Sequence, residues 1–227
     1  MLTKDEIKKL AAVRALGYVK PGMTIGIGTG STVYWFIVAL AARVKEGLAC
    51  TCVPTSAATA GLAAQLAIPL EVLNDVEKIE VTIDGADEID PQLNLIKGGG
   101  AALLQEKMVA AVSERLVIVA DSTKLVERLG AFPLPVEVIP YGWKPVRRKI
   151  ENEYQVRTAL REKDGVALIT DHGHYILDCH FGSIVNPVAL AASLHDIPGV
   201  VDCGLFNNLA TEAIIAYPDG RIETMFK

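Results

Sequence analysis

The sequence feature that most constrains the fold is an alternation of short apolar runs with segments of helical periodicity. The runs have the length of buried strands and lie at 23–27, 49–53, 70–73, 79–83 and 116–120. Apolar residues recur at helical spacing between them, at 33–45, 56–66 and 101–113. Most of the runs lack polar alternation, which is typical of strands buried on both faces. The pattern predicts a parallel sheet covered by helices on both sides.

The chain opens with a predicted helix. Thr3 and Glu6 form a T-x-x-E capping box, which satisfies amides that the start of a helix leaves without partners. Pro21-Gly22 then predicts a turn that ends this unit before the first strand.

The pattern changes at the Phe-Pro-Leu-Pro segment, residues 132–135. From there we predict, in order, a strand, a helix, two strands, a helix and a strand, at 136–139, 146–162, 166–170, 175–179, 187–195 and 200–204. This β-α-β-β-α-β order is typical of a ferredoxin-like fold. The tail, 213–217 and 221–226, predicts a hairpin around Pro218-Asp219-Gly220.

Composition argues against several classes of protein. Hydrophobic residues make up 51% of the 227 and charged residues 22%, as in globular proteins. The net charge is −5 and no basic stripe is present, so we expect no nucleic-acid partner. The longest apolar stretch, 33–42, ends at Arg43 and falls short of the roughly 18 residues that a membrane helix needs. We therefore expect no membrane association.

The cysteines favour a reducing compartment. Cys50, Cys52, Cys179 and Cys203 form no C-x-x-C pair and lie in or near strand-like runs, so we predict buried free thiols in the cytoplasm. The N-terminus has no apolar signal-peptide core. The abundance of Ala and Val also favours surface buried in an oligomer.

The first candidate motif is GIGTGST at 26–32, where a strand runs into glycines and then into a helix. Glycines permit a sharp turn, and a helix N-terminus offers unpaired amides that suit a phosphate. Dinucleotide binding is a poorer interpretation, because the glycines run G-x-G-x-G and no acidic residue ends the second strand. No Gly-Lys-Ser/Thr of a P-loop follows. A tight turn without a ligand is the remaining alternative.

The second motif, DGADEID at 84–90, follows the strand 79–83. Ligands of open parallel sheets bind beyond the carboxyl ends of the strands, and a cluster of carboxylates there suits proton transfer. A calcium loop does not fit the glycine spacing. We expect Asp84 and Asp87 to face one ligand, and Glu88 and Asp90 to be solvated.

The third motif is KGGGAALLQEK at 97–107. Three glycines between Lys97 and a helix bring backbone amides and an ammonium group against an anion. Glu106 follows early in that helix, and a carboxylate in such surroundings can take a proton from carbon while donors stabilise the oxyanion. A Glu-Lys pair on a helix surface is the alternative.

Weaker candidates lie elsewhere. Lys124 follows the strand 116–120 and is a candidate phosphate ligand, with a surface lysine as an equal alternative, and Lys8 on the first helix is a poorer candidate. His172 and His174 flank Gly173 and are interpreted as turn residues rather than as metal ligands.

The motifs together, in this order, resemble the ribose-5-phosphate isomerase A family. The segments that carry the resemblance are GIGTGST at 26–32, TSAAT at 55–59, DGADEID at 84–90, KGGGAAL at 97–103 with Glu106, and FPLPVEVIP at 132–140. The departures are Asp171-His172-Gly173-His174 and Asn207-Asn208, which bear on local turns or subunit contacts rather than on the reaction.

The resemblance implies an α/β fold: a Rossmann-like catalytic domain, 1–131 and 208–227, and an inserted ferredoxin-like domain, 132–207. It implies Glu106 as general base, with Asp84, Asp87 and Lys97 in the same catalytic group. The substrate-binding residues that it implies, together with the weaker candidate Lys8, are Thr29, Gly30, Ser31, Thr32, Gly85, Ala86, Gly98, Gly99, Gly100 and Lys124.

The resemblance also implies a sugar-phosphate substrate, no metal or redox cofactor, a homodimer or homotetramer, and a cytoplasmic location. The implied reaction is the interconversion of D-ribose 5-phosphate and D-ribulose 5-phosphate in the pentose phosphate pathway. The alternatives are a non-catalytic sugar-phosphate sensor, which would need no Glu106, and a nicotinamide-dependent dehydrogenase, which would need a ribose-binding acid.

Overall fold

The structure is a computed structural model that describes all residues, 1–227. Its six α-helices are α1 (Lys4–Ala15), α2 (Ser31–Lys45), α3 (Ala57–Gln65), α4 (Leu103–Ala111), α5 (Trp143–Tyr154) and α6 (Pro187–His195). Its fifteen strands are β1 (Thr24–Ile27), β2 (Thr51–Pro54), β3 (Val81–Asp84), β4 (Glu88–Ile89), β5 (Leu95–Ile96), β6 (Leu116–Asp121), β7 (Leu134–Val138), β8 (Arg157–Leu160), β9 (Glu162–Lys163), β10 (Val166–Ala167), β11 (Tyr175–His180), β12 (Val200–Cys203), β13 (Leu205–Phe206), β14 (Glu212–Ala216) and β15 (Ile222–Phe226).

The residues group into two compact units. The first unit comprises 1–86, 105–124 and 208–227, and the second comprises 87–104 and 125–207. The sequence-based division places 87–104 and 125–131 in the first domain, whereas the structure groups them with the second unit. Main-chain pairing ties 87–104 to the second unit, because β5 pairs with β13 and the Lys97 amide donates to the Gly204 carbonyl. The segment 125–131 is tied to it by the Ile184 amide, which donates to the Leu129 carbonyl.

The first unit is built on a six-stranded sheet in the order β15-β14-β6-β3-β1-β2. Five strands are parallel, and β15 closes one edge antiparallel to β14. All residues of β3 and β14 are buried, which is typical of strands covered on both faces. In β3 this includes Thr82, although the run 79–83 shows polar alternation. The chain leaves β1 for β2 on one side and returns to β3 on the other, so a topological switch point lies between β1 and β3. The predicted parallel sheet and the terminal hairpin are confirmed.

Helix α1 shows how sequence sets an element and its packing. The Thr3 amide donates to Glu6 Oε2 over 2.7 Å and the Glu6 amide donates to Thr3 Oγ1 over 3.3 Å, so the predicted capping box is present. The buried face carries Ile7 and three alanines, and the small alanine side chains let the helix lie close to its neighbours. On α2, Phe36 and Leu40 are fully buried in the same core.

The second unit contains a four-stranded antiparallel sheet in the order β12-β7-β11-β8. Together with α5 and α6 it gives the predicted β-α-β-β-α-β order and a ferredoxin-like arrangement. A short sheet, β13-β5-β4, completes the unit. These three strands are not predictable from the sequence, because two-residue strands carry no periodicity.

Three sequence-based elements are wrong in their extent. The helix predicted over 146–162 ends at Tyr154, where Gln155 takes a left-handed φ of 53°, and Arg157–Leu160 forms the second strand of the sheet. The strand predicted over 166–170 is reduced to Val166–Ala167, which pairs with β9. At 70–73, Leu70 makes only an isolated bridge to Cys52, and a 3₁₀ turn follows.

The four cysteines are buried free thiols, as predicted. None of the helices combines the length and the apolar character that crossing a bilayer would require.

Candidate active site

The loop between β1 and α2 lies at the switch point of the parallel sheet. The Gly28 amide donates to the Ile83 carbonyl over 2.9 Å, so β1 and β3 end side by side. A Cβ on Gly28 would overlap the carboxylate of Asp84 and lie 2.7 Å from its Cα, so this position accepts only glycine. Gly30 has φ = 134° and caps α2, whose first residues are Ser31 and Thr32. Their amides have no earlier helical carbonyl as acceptor, which makes this turn suited to an anion.

Asp84 joins this loop to the loop that follows β3. The residue is fully buried. Its Oδ1 accepts hydrogen bonds from the Thr29 amide at 3.2 Å and the Gly85 amide at 2.7 Å. Gly85 and Ala86 continue from it, both partly exposed. One buried carboxylate therefore fixes the positions of two glycine-containing loops.

A cluster of hydroxyl groups surrounds the Thr29 side chain. Thr29 Oγ1 lies 2.8 Å from Thr55 Oγ1, 2.8 Å from Ser56 Oγ and 3.1 Å from Thr59 Oγ1. Thr59 also donates to the Gly28 carbonyl over 2.9 Å, and Ser56 caps α3. This segment carries part of the family resemblance but is not among the site residues predicted from the sequence. Its hydroxyl residues after β2, at the same edge of the sheet, were the pattern that could have identified it.

Glu106 lies in the first turn of α4 and is 3% exposed. Its neighbour Gln105 donates from Nε2 to the carbonyl of Pro54 over 3.0 Å, which ties this turn to the carboxyl end of β2. The positive end of a helix stabilises a carboxylate in its first turn. Lys124, partly buried, ends the turn that follows β6 at the same edge of the sheet. Lys8 is partly buried on α1. Its assignment to the site rests on the sequence prediction alone.

In the second unit, residues 97–100 form what we call the triple-glycine loop. Lys97 is 2% exposed, and its Nζ lies 5.4 Å from the centre of the Phe206 ring. Gly98 is buried with φ = 97°, whereas Gly99 and Gly100 are exposed. The Gly99 amide donates to Asp87 Oδ2 over 2.8 Å. A Cβ on Gly99 would lie 2.6 Å from Asp87 Oδ1, so the close approach of loop and carboxylate requires glycine.

The prediction that Glu88 and Asp90 are solvated is wrong. Glu88 is 4% exposed, and its two oxygens accept from the amides of Gly130 and Phe132, each at 2.6 Å. Asp90 is 6% exposed and accepts from the amides of Gln92 and Asn94. The amides that Glu88 binds lie more than 40 residues away along the chain.

The two histidines flanking Gly173 lie at a turn, as predicted: the Gly173 amide donates to the Thr170 carbonyl over 2.9 Å. His174 has a further contact that the sequence analysis missed, since its Nδ1 lies 3.0 Å from Glu137 Oε1.

A parallel sheet whose switch-point loops present amides, hydroxyls and buried carboxylates defines the class of Rossmann-like α/β proteins with a small-molecule site at the carboxyl edge. The family model described as ribose 5-phosphate isomerase A (phosphoriboisomerase A) matches residues 51–220. The chain belongs to the ribose-5-phosphate isomerase A family.

The similarity extends over almost the whole chain. A protein of Nitrobacter hamburgensis named ribose-5-phosphate isomerase A is 50% identical over 225 residues, covering 96% of this chain and 97% of the relative. One of Bacillus mycoides with the same name is 51% identical over 215 residues, covering 94% and 97%. The resemblance stated from the motifs is confirmed.

Solved structures confirm the fold class. The ribose 5-phosphate isomerase of Plasmodium falciparum has a TM-score of 0.95 at 38% identity, covering 98% of this chain and 99% of that one. A D-ribose-5-phosphate isomerase described in complex with phospho-erythronic acid has a TM-score of 0.95 at 37% identity and full coverage of both chains.

Proposed function

We propose that this chain interconverts D-ribose 5-phosphate and D-ribulose 5-phosphate. The observation that carries the proposal is the match over nearly the full chain to proteins named ribose-5-phosphate isomerase A. The ligand named for one solved relative supports it, because phospho-erythronic acid combines a phosphate with a planar carboxylate. That carboxylate is planar and negatively charged, as the enediolate is.

The base in the proposed reaction is Glu106. An aldose becomes a ketose when one proton leaves carbon 2 and one reaches carbon 1, with a cis-enediolate between the two steps. A single carboxylate can carry that proton both ways. Glu106 suits the role because it is buried, in the first turn of α4, beside a residue held to the end of β2.

The oxyanion of the enediolate needs positive charge and amide donors. We assign the positive charge to Lys97, a buried ammonium group, and the amide donors to the exposed part of the triple-glycine loop that follows it. In that loop the Gly99 amide donates to Asp87 and Gly100 is the next amide along the chain. Asp87 is assigned the proton transfer that opens the sugar ring. Asp84 assists by holding Thr29 and Gly85 in place, which its two amide contacts support.

The phosphate is assigned to the loop Thr29–Thr32. The start of α2 offers amides and the positive end of a helix dipole, and the hydroxyl cluster at Thr29 adds neutral donors. Lys124, at the same sheet edge, is assigned to the substrate as a cation, with Lys8 as a further candidate.

The experiment is a coupled assay of ribulose 5-phosphate formation for the wild type, Glu106→Gln and the control Glu114→Gln. Glu114 is an exposed carboxylate that contacts Lys78. We expect Glu106→Gln to lower kcat by about 10²- to 10⁴-fold and to retain binding of phospho-erythronic acid, and Glu114→Gln to behave as wild type. A Glu106→Gln protein with wild-type kcat would refute the base, and an inactive wild type would refute the function.

A hydride shift assisted by a metal is the competing mechanism. A proton held by Glu106 can exchange with solvent, so product formed in deuterium oxide should carry deuterium at carbon 1. A chelator should make no difference to the rate. Product free of deuterium would contradict the enediolate.

A non-catalytic sugar-phosphate sensor is the alternative, and the comparisons do not favour it, because the relatives matched over nearly the full chain are named as isomerases. A homodimer or homotetramer and a cytoplasmic location remain part of the proposal. Light scattering on the purified protein tests the first, and microscopy of a tagged chain tests the second.

A further inference from the structure

Arg161 follows β8 in the second unit and has no role in the proposed mechanism. Its guanidinium is held by the carboxylate of Asp178 on β11, with Nε 2.9 Å from Oδ2 and a second contact from Nη2 to Oδ1. The two side chains are 13% and 20% exposed. The pair is bidentate and largely buried, which fixes the plane of the guanidinium.

The remaining nitrogen of Arg161 reaches the triple-glycine loop. Nη1 donates to the Gly98 carbonyl over 2.6 Å and lies 3.3 Å from the Gly99 carbonyl. One planar group therefore binds an acidic side chain of the sheet and two successive carbonyls of the loop.

These contacts clamp one peptide group from both sides. In a trans peptide the carbonyl and the following N–H point in opposite directions, and the chain has no cis peptide bond. In the peptide group between Gly98 and Gly99, the oxygen accepts a hydrogen bond from Arg161 and the N–H donates one to Asp87 Oδ2. The next peptide turns its oxygen toward Arg161, so the N–H of Gly100 points away from the guanidinium.

The sequence of the loop explains why a clamp is needed. Glycine has more conformational freedom than any other residue, so three in succession give a backbone with no preferred peptide orientation. Amides stabilise an oxyanion well only when they are oriented before the charge develops. Within the loop, the Ala101 amide donates to the Gly98 carbonyl over 3.0 Å. Arg161 binds the same carbonyl and also reaches the Gly99 carbonyl, so the turn and the guanidinium together set the direction of the Gly99 and Gly100 peptide groups.

We propose that Arg161, held by Asp178, is a positioning residue that orients the peptide groups of the triple-glycine loop for an anionic sugar phosphate. The proposal deepens the proposed function and rests on it. Arg161 acts through the loop and does not itself touch the substrate.

The chain offers a matched control in Arg147. Its Nε contacts Glu151 at 3.0 Å and its Nη2 donates to the Thr158 carbonyl over 2.9 Å. It thus has the same kinds of partner in the same unit, an acidic side chain and a main-chain carbonyl, without contacting the glycine loop.

The experiment compares Arg161→Met, Arg161→Lys and Arg147→Met in the full chain. The first measurement is amide hydrogen exchange of Gly99 in the free protein, followed by NMR after glycine labelling. The second is kcat/KM for ribose 5-phosphate together with the Kd of phospho-erythronic acid. Thermal unfolding of each variant gives its folded fraction.

We expect Arg161→Met to speed exchange at Gly99, to lower kcat/KM by about 10- to 100-fold, and to weaken phospho-erythronic acid binding. Arg161→Lys should recover only part of the loss, because an ammonium lacks the planar fork. Arg147→Met should leave all three quantities of the folded protein unchanged. Should Arg161→Met fail to fold, Asp178→Asn, which weakens the fork at constant size, takes its place.

Unchanged exchange at Gly99 would overturn the clamp, and faster exchange with wild-type kcat/KM and Kd would overturn the positioning role. Equal losses in Arg161→Met and Arg147→Met would show a general structural role and also overturn the proposal. An inactive wild type would refute the proposed function, whereas the exchange measurement on Gly99 would still decide the clamp.

Discussion

Gly28 illustrates how closely the backbone of the first loop approaches its neighbours. Its Cα faces the Asp84 side chain and backbone, so the absence of a side chain lets β1 and β3 end together. Gly61, in α3, is the opposite case, since a Cβ there would meet no atom within 4 Å. One glycine is required by packing and the other is not.

We predict that Gly28→Ala and Gly61→Ala change stability in opposite directions. Gly28→Ala forces Asp84 to move and should destabilise the fold by about 1–3 kcal/mol, with a loss of isomerase activity. Gly61→Ala should stabilise it by about 0.5–1 kcal/mol, because alanine restricts the unfolded chain and favours helix. Urea unfolding and the coupled assay measure both effects. An unchanged stability of Gly28→Ala would contradict the close approach of Gly28 to Asp84.

At the scale of elements, the end of α5 decides where the second sheet begins. The apolar spacing of 146–162 continues past Tyr154 and favours a longer helix, yet Gln155 turns left-handed and residues 157–160 pair with β11. Thr158 is buried in that strand and pairs through its main chain with Cys179 of β11. The helical periodicity of the sequence gives no sign of this pairing. Long-range pairing here outweighs local preference.

The left-handed residue at this boundary allows a test. Gln155 has φ = 53°, which a residue with a Cβ adopts at a cost that glycine avoids. Gln155→Gly should raise the free energy of unfolding by about 0.5–1 kcal/mol, while Glu153→Gly, inside the last turn of α5, should lower it by a similar amount. Chemical denaturation of the two variants measures this, and equal destabilisation would argue against the left-handed cap.

At the scale of the whole chain, distant segments are joined by polar contacts. Tyr18 donates to Glu212 Oε2 over 2.5 Å across 194 residues of sequence, and Arg115 pairs with the other oxygen. Burial alone would raise the pKa of Glu212, but the hydrogen bonds from Tyr18 and Arg115 outweigh it and hold the pKa below its ordinary value. The cluster joins the 3₁₀ turn that follows α1 to the starts of β6 and β14 in the first unit.

The contact between Tyr18 and Glu212 predicts that part of the free energy of unfolding depends on pH. A carboxyl group with a lowered folded pKa contributes stability above its unfolded pKa of about 4.3, and loses it as pH falls through the folded value. Tyr18→Phe should therefore cost about 1–2 kcal/mol at pH 7, and the difference from wild type should shrink below about pH 4. Unfolding measured from pH 7 to 3 tests this, and a difference independent of pH would exclude Glu212 as the cause.

The sequence by itself determined the parallel sheet, the capping box of α1, the terminal hairpin and the motifs at the strand ends. Each of these depends on local information: periodicity, capping residues, and glycines beside polar groups. Only the tertiary structure decided that Glu88 binds the amides of Gly130 and Phe132, that Thr55 and Thr59 surround Thr29, and that Arg161 holds the triple-glycine loop. These partners are 26 to 63 residues apart in the chain. Long-range pairing of main-chain groups brings them together, and periodicity within a short window carries no information about it.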